Sequence, residues 1–132
     1  MPMTPITSPA CPCGSVKSFE NCCAPFLRGE RPAPDAESLM RSRYCAYVME
    51  DEAYLLATWH PRTRPAFLDL AREPRPRWLG LAVKSKTVLD TDHARVEFVA
   101  RYKIGGRAFR LHETSRFERV EGHWLYLDGD VA

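Results

Sequence analysis

The spacing of hydrophobic residues changes once along the chain, near Trp78. Before that point, apolar residues recur every three or four positions, which is typical of amphipathic helices. The pattern predicts three helices, over residues 36–49, 51–59 and 64–72. Asp35 is the predicted N-cap of the first helix, and Pro61 stops the second because residues before proline avoid helical geometry. The third is bounded by Pro65 near its first turn and by Pro74 beyond its end.

From Trp78 onward, apolar and polar residues alternate, which is typical of strands with one buried face. The clearest alternation covers residues 94–104, where every even position is apolar or aromatic. Turn-forming residues divide the segment at residues 90–92, 105–106 and 121–122. Helices followed by four meandering antiparallel strands predict an α+β fold, with the helices covering one face of a twisted sheet.

Four of the five cysteines lie within the first two dozen residues, in a C-x-C-x8-C-C run: Cys11, Cys13, Cys22 and Cys23. Thiolates are soft ligands that suit Zn²⁺ in tetrahedral geometry, and the loop between the pairs is long enough for both to reach one ion. The run therefore predicts one structural Zn²⁺ with no open position for a substrate. The fifth cysteine, Cys45, lies in the first predicted helix, where we expect a small buried side chain.

A redox or disulfide role and inert thiols are the alternatives for this run. Residues 1–10 contain neither the basic nor the apolar region of a secretory signal, so we expect a reducing, cytoplasmic location. The neighbours Cys22 and Cys23 would also form a strained disulfide. Both observations favour zinc over the alternatives.

Charge and hydropathy narrow the classes of partner. The 19 basic and 17 acidic residues give a formal net charge of +2. This excess of positive charge is too small to indicate binding to duplex nucleic acid. No apolar stretch approaches the length of a membrane span. We therefore expect neither nucleic acid nor membrane as a partner, and a protein partner of unknown identity bound through the cysteine segment.

Several motifs carry a resemblance to known families. The run Cys11-Pro-Cys-Gly-Ser15 followed by Cys22-Cys23 resembles the SEC-C zinc motif. The later motifs are similar to the YchJ-like family of bacterial proteins, to which no reaction is assigned; they include Met40-Arg-Ser-Arg-Tyr44, Thr58-Trp-His-Pro61 and Trp124-Leu-Tyr-Leu-Asp-Gly129. The resemblance implies a zinc-binding module over residues 1–30. It implies a nuclear-transport-factor-2-like (cystatin-like) cone over residues 31–132, with helices packed on a curved four-stranded antiparallel sheet.

A possible pocket is indicated by polar residues on an apolar strand face. Glu113 and Ser115 alternate in step with three apolar residues of the predicted third strand. A buried carboxylate needs a partner, and Arg43 of the first helix is the predicted donor, with Tyr44 and His60 as alternatives. The last strand is predicted to place three further candidates on one face: Trp124, Tyr126 and Asp128. Asp128 either joins the cavity or closes a turn.

Two functions are compatible with these residues. The first is a non-enzymatic adaptor whose zinc module docks a partner, with Phe19 or Phe26 exposed at its rim. The alternative is a small-molecule-binding protein or acid/base enzyme, with Glu113 or His60 as base and Arg43 or Tyr44 as the polarising donor. A buried Glu113–Arg43 ion pair in a filled core would favour the adaptor, and a solvent-connected cavity at Glu113 would favour the alternative.

Overall fold

The computed structural model describes residues 9–132, and its elements follow the predicted order of helices before strands. The helices are a 3₁₀ turn Phe19–Asn21, α1 Ala24–Leu27, α2 Ala36–Val48 and α3 Glu52–Ala57. The strands are β1 Arg77–Asp90, β2 His93–Ile104, β3 Arg107–Val120 and β4 His123–Val131. They form one antiparallel sheet in the order β1-β2-β3-β4, which confirms the α+β fold.

Helices α2 and α3 each begin after an aspartate cap, of which Asp35 was predicted from the sequence. The Asp35 carboxylate accepts a hydrogen bond of 2.7 Å from the Ser38 amide, and Asp51 accepts one of 3.1 Å from the Tyr54 amide. Each carboxylate satisfies an amide that has no partner within its helix. The first two predicted helices are therefore confirmed, the second somewhat shorter than expected.

The helix predicted over residues 64–72 is wrong, because this segment forms turns and bends instead. Asp69 has φ of 56°, a left-handed conformation that a helix cannot contain. The amides of Leu68 and Asp69 donate to Glu52 Oε1 at 3.3 and 3.1 Å rather than to carbonyls of a preceding turn. A side chain of α3 therefore takes the bonds that a local helix would have used.

The core lies between α2 and the inner face of the sheet. Every second residue of β2 from Ala94 to Ala100 is buried, as its pattern predicts, and Val99 is buried as well. Leu39 and Phe117 are among the largest fully buried side chains. Three of the N-terminal cysteines belong to the same core cluster as Leu39: Cys11, Cys13 and Cys23. The cysteine segment thus packs directly on α2, although the division at residue 30 stays a prediction.

The end of α3 is tied to β4 by two backbone hydrogen bonds. The Tyr126 amide donates to the Thr58 carbonyl, and the His60 amide donates to the Tyr126 carbonyl, each at 2.8 Å. Strand β4 has a bulge immediately after Tyr126. Phe117 of β3 pairs with Tyr126, whereas the adjacent Arg116 pairs with Asp128. Leu127 is the extra residue, and its carbonyl accepts a 2.6 Å bond from Thr63 Oγ1.

The bulge corrects one prediction about β4. An extra residue in a strand reverses the facing of every side chain beyond it. Asp128 therefore leaves the face of Trp124 and Tyr126, and its carboxylate accepts a 2.6 Å bond from Arg116 Nε on the opposite side of the sheet.

Candidate functional site

The four N-terminal cysteines converge on one point. Their Sγ atoms all lie within 4.8 Å of one another. The Cys11 amide donates to the Lys17 carbonyl at 2.9 Å, and the Gly14 amide donates to the Cys11 carbonyl at 3.1 Å, so the chain turns back sharply. Gly14 has φ of 81°, and a Cβ there would lie 3.0 Å from the Leu81 carbonyl oxygen, so the turn requires glycine.

The distances between the sulfurs fit a tetrahedral metal site. Cys22 Sγ lies 3.7 Å from Cys13 Sγ and 3.8 Å from Cys23 Sγ. A tetrahedron with metal–sulfur bonds of about 2.3 Å has edges of about 3.8 Å. A disulfide would need a separation of about 2.05 Å, and all five cysteines are free thiols. The cluster could therefore hold a metal ion.

The thiols are electrostatically unequal, and polar groups surround them. A hydrogen bond between the Cys13 and Cys23 thiols lowers the pKa of Cys13 and raises that of Cys23. Ser15 Oγ lies 3.0 Å from Cys22 Sγ. Arg41 Nη1 donates to the Cys13 carbonyl at 2.7 Å and lies 3.8 Å from its Sγ. Such outer groups orient ligands and offset their negative charge.

Cys45 is fully buried, and it adds a fifth thiol beside the cluster. Its Sγ lies 3.5 Å from Cys11 Sγ. The expectation of a small buried side chain therefore holds for its packing, but its spacing from the other cysteines gave no sign of this proximity. Burial of α2 against the cysteine segment is what brings the two sulfurs together.

A second candidate site is a cavity of about 280 Å³ between α2 and the inner face of the sheet. Its walls include five of the predicted pocket residues: Arg43, Tyr44, Glu113, Ser115 and Tyr126. Further aromatic walls come from Tyr47, Trp59 and Trp78, whose helical or strand spacing alone resembles that of ordinary core residues. The cavity opens to solvent, as the hypothesis of a small-molecule-binding protein or enzyme requires.

Arg43 and Glu113 share this cavity without forming an ion pair, so the predicted pairing is wrong. Arg43 Nη1 donates to the Leu55 carbonyl at 2.8 Å and to Thr58 Oγ1 at 2.7 Å. Its guanidinium carbon lies 5.0 and 4.7 Å from the ring centres of Trp59 and Tyr126, and burial lowers its pKa. The unwound end of α3 supplies partners that sequence spacing did not reveal.

Glu113 finds its donors within the sheet instead. Its Oε2 accepts a 2.5 Å bond from Ser115 Oγ and a 3.4 Å bond from Tyr126 OH. A Cβ on Gly129 would collide with the same oxygen, so this glycine makes room for the carboxylate. Burial raises the pKa of Tyr126 above its usual range and that of Tyr44 to about 12, so both hydroxyls keep their protons at neutral pH.

The other predicted pocket residues lie elsewhere. His60 Nε2 lies 3.6 Å from Glu118 Oε2, away from the cavity lining. Trp124 lines a separate pocket, and its ring centre lies 5.7 Å from the guanidinium carbon of Arg119. Asp128 faces the opposite side of the sheet, as described for the bulge. Within residues 9–132, no helix is long and apolar enough to cross a membrane.

Comparison with known proteins identifies the family. Residues 35–129 match a family described as "YchJ, middle NTF2-like domain". The chain belongs to the YchJ-like family. Relatives named UPF0225 protein include one from Ralstonia nicotianae, 54% identical over 97% of this chain and 95% of the relative. Another, from Bordetella parapertussis, is 49% identical over 99% of both chains.

Two solved structures share the fold over most of the chain. A SEC-C motif containing protein from Rhodopseudomonas palustris has a TM-score of 0.84 and 36% identity, and the match covers 92% of this chain and 98% of that one. A SEC-C motif containing protein from Psychrobacter arcticus has a TM-score of 0.78 and 29% identity, with coverage of 94% and 83%. The resemblance to the YchJ-like family and the nuclear-transport-factor-2-like fold are thereby confirmed.

Proposed function

We propose that the four cysteines hold one structural Zn²⁺, and that the module it stabilises docks a protein partner. The observation that carries the metal assignment is the pair of sulfur separations at Cys22, 3.7 and 3.8 Å, which match the edge of a zinc–thiolate tetrahedron. Four protein ligands fill that coordination shell. The ion would therefore stabilise the fold rather than bind a substrate.

The residues around the cluster support a metal with four thiolate ligands. Four thiolates around a divalent ion leave a net charge of −2, and Arg41 places its guanidinium next to Cys13. Arg41 is itself held by Glu37 through a 2.9 Å bond. Such outer-shell contacts fix ligand orientation in known metal sites.

The loop between the two cysteine pairs supports the docking role. Val16 is 94% exposed and has φ of 65°. A β-branched residue in the left-handed region is strained by roughly 1–3 kcal/mol, and such strain clusters at functional positions. Burying the Val16 side chain under a partner would be worth about 1.5–3 kcal/mol. Phe19 and Phe26, the rim residues expected from the sequence, are instead only partly exposed.

The metal content of the purified protein tests the first half of the proposal. We expect about one zinc per chain by inductively coupled plasma mass spectrometry, in protein prepared without added metal or chelator. All five thiols should react once the same sample is denatured. Another metal at the same stoichiometry would refute the zinc assignment, and disulfides without metal would refute the site itself.

Matched surface variants test the docking half. Val16→Asp places a charge at the loop tip, and Val131→Asp places one at a 68% exposed valine on the last strand. Proteins that co-purify from the native source should be lost with Val16→Asp and kept with Val131→Asp, with the metal content unchanged in both. Equal recovery with the two variants would exclude the loop as the docking surface.

A further inference from the structure

The inner cavity contains a carboxylate with one oxygen still available. Both hydrogen bonds to Glu113 reach Oε2, from Ser115 and Tyr126. Among residues 9–132, no group donates a hydrogen bond to Oε1. In the same range, Trp59 Nε1 is the one buried side-chain polar atom without a hydrogen-bond partner. Since Oε1 is not such a buried atom, it remains accessible, and it is an acceptor that a ligand with a hydrogen-bond donor would satisfy.

The charges of the cavity favour a neutral ligand. Arg43 is 6% exposed and lines the same cavity as Glu113, so the two opposite charges offset each other within it. A cationic ligand would meet the buried guanidinium, and an anionic ligand would meet the carboxylate. Either would add an unbalanced charge to a largely apolar space.

The walls and size of the cavity favour a flat ring. Tyr44 packs edge-to-face on Trp78 at 5.7 Å between ring centres, and Tyr47 lies 5.9 Å from the same ring. Phe98 and Leu111 form the sheet side. A cavity of about 150 Å³ is sufficient for benzene, so the 280 Å³ found here suits one or two fused rings.

We propose that this cavity binds a small, neutral, flat aromatic compound that donates one hydrogen bond, through an O–H or ring N–H, to Glu113 Oε1. Ser115 and Tyr126 hold the carboxylate in place through its other oxygen, and Gly129 leaves the space that this orientation needs. No cysteine lines the cavity, so the proposed ligand contacts neither the metal site nor a docking partner.

Two isomeric probes test the hydrogen bond on the unmodified protein. 3-Methylindole and 1-methylindole have the same composition and nearly the same volume, but the ring N–H is present in 3-methylindole alone. In a titration followed by amide chemical shifts, 3-methylindole should shift residues of the cavity wall. It should bind roughly tenfold more tightly than 1-methylindole, which corresponds to one hydrogen bond to a charged acceptor. Equal affinities, or shifts confined to residues outside the cavity, would overturn the proposal.

Charged probes and a matched pair of variants complete the test. Tryptamine and indole-3-carboxylate should both bind more weakly than 3-methylindole at neutral pH, and tighter binding of either would refute a neutral ligand. Glu113→Gln should abolish the preference for the N–H isomer, whereas Glu97→Gln, which alters a carboxylate bonded to His112 on the other face of the sheet, should preserve it. If Glu113→Gln does not fold, the comparison of isomers on the unmodified protein still decides the matter.

Discussion

Replacing Arg43 tests how the cavity wall is stabilised. The guanidinium is 6% exposed, donates to the Leu55 carbonyl and Thr58 Oγ1, and lies over two aromatic rings. Within residues 9–132, no carboxylate lies within ion-pair distance of it. The buried guanidinium is therefore stabilised by the geometry of its hydrogen bonds and ring contacts rather than by an ion pair. Arg43→Lys keeps the charge and loses the geometry, whereas Arg43→Met removes both while retaining much of the side-chain volume.

The lysine variant should be the less stable of the two, although it keeps the positive charge of Arg43. Arg43→Met leaves the Leu55 carbonyl without its charged donor, at a cost of about 1–3 kcal/mol, but it also removes the penalty of burying a cation. Arg43→Lys leaves a strongly hydrated ammonium in the same site with fewer acceptors in reach, at a cost of roughly 3–5 kcal/mol. The lysine variant should therefore be less stable than the methionine variant by about 2 kcal/mol.

Urea unfolding followed by far-ultraviolet circular dichroism measures this difference, with metal content matched across samples. Arg110→Lys, at an exposed position of β3, is the control and should change the free energy of unfolding by less than about 0.5 kcal/mol. A lysine variant as stable as the original protein, or more stable than the methionine variant, would refute this account of Arg43.

Two further predictions concern titration. Burial raises the pKa of Tyr44 to about 12, so its contribution to stability is fully present below the unfolded pKa of about 10 and is lost as the pH rises towards 12. Because burial also raises the pKa of Tyr126, ultraviolet difference titration should show a late tyrosine transition whose amplitude Tyr44→Phe reduces without removing it. The Asp90 carboxylate, 2.8 Å from His93 Nδ1, raises the pKa of that imidazole, so this stabilisation is present below about 6.5 and is lost as the pH rises through the raised value. Asp90→Asn should lower the His93 pKa in a proton NMR titration, and an unchanged value would contradict the assignment.

The features that could be predicted from sequence depend on local chemistry. Alternation in β2, the Asp35 cap and the glycine turns each act over a few residues, and all appear where expected. The convergence of the cysteines is likewise implied by their spacing. The family resemblance added the prediction that a zinc-binding module is followed along the chain by a cone-shaped domain.

The predictions that proved wrong depended on contacts between distant parts of the chain. Glu52 captures amides of residues 68 and 69, so the predicted third helix does not form. Thr63 holds the carbonyl of Leu127, the extra residue of a bulge that turns Asp128 away from the cavity. Arg43 finds Leu55 instead of Glu113. Nothing in the local pattern indicates these partners, and the cytoplasmic location, the protein partner and a catalytic role of Glu113 stay predictions.

The attachment of α3 to β4 has a consequence for the order of synthesis. The residues that Tyr126 contacts, Thr58 and Trp59, leave the ribosome almost seventy residues earlier. Until that strand emerges, the nascent chain carries the apolar face of α2 and the Arg43 guanidinium without their final cover. Such exposed apolar surface is what chaperones bind and what drives aggregation. The four cysteines, by contrast, have all been made by residue 23, so a metal can organise the beginning of the chain long before its core can close.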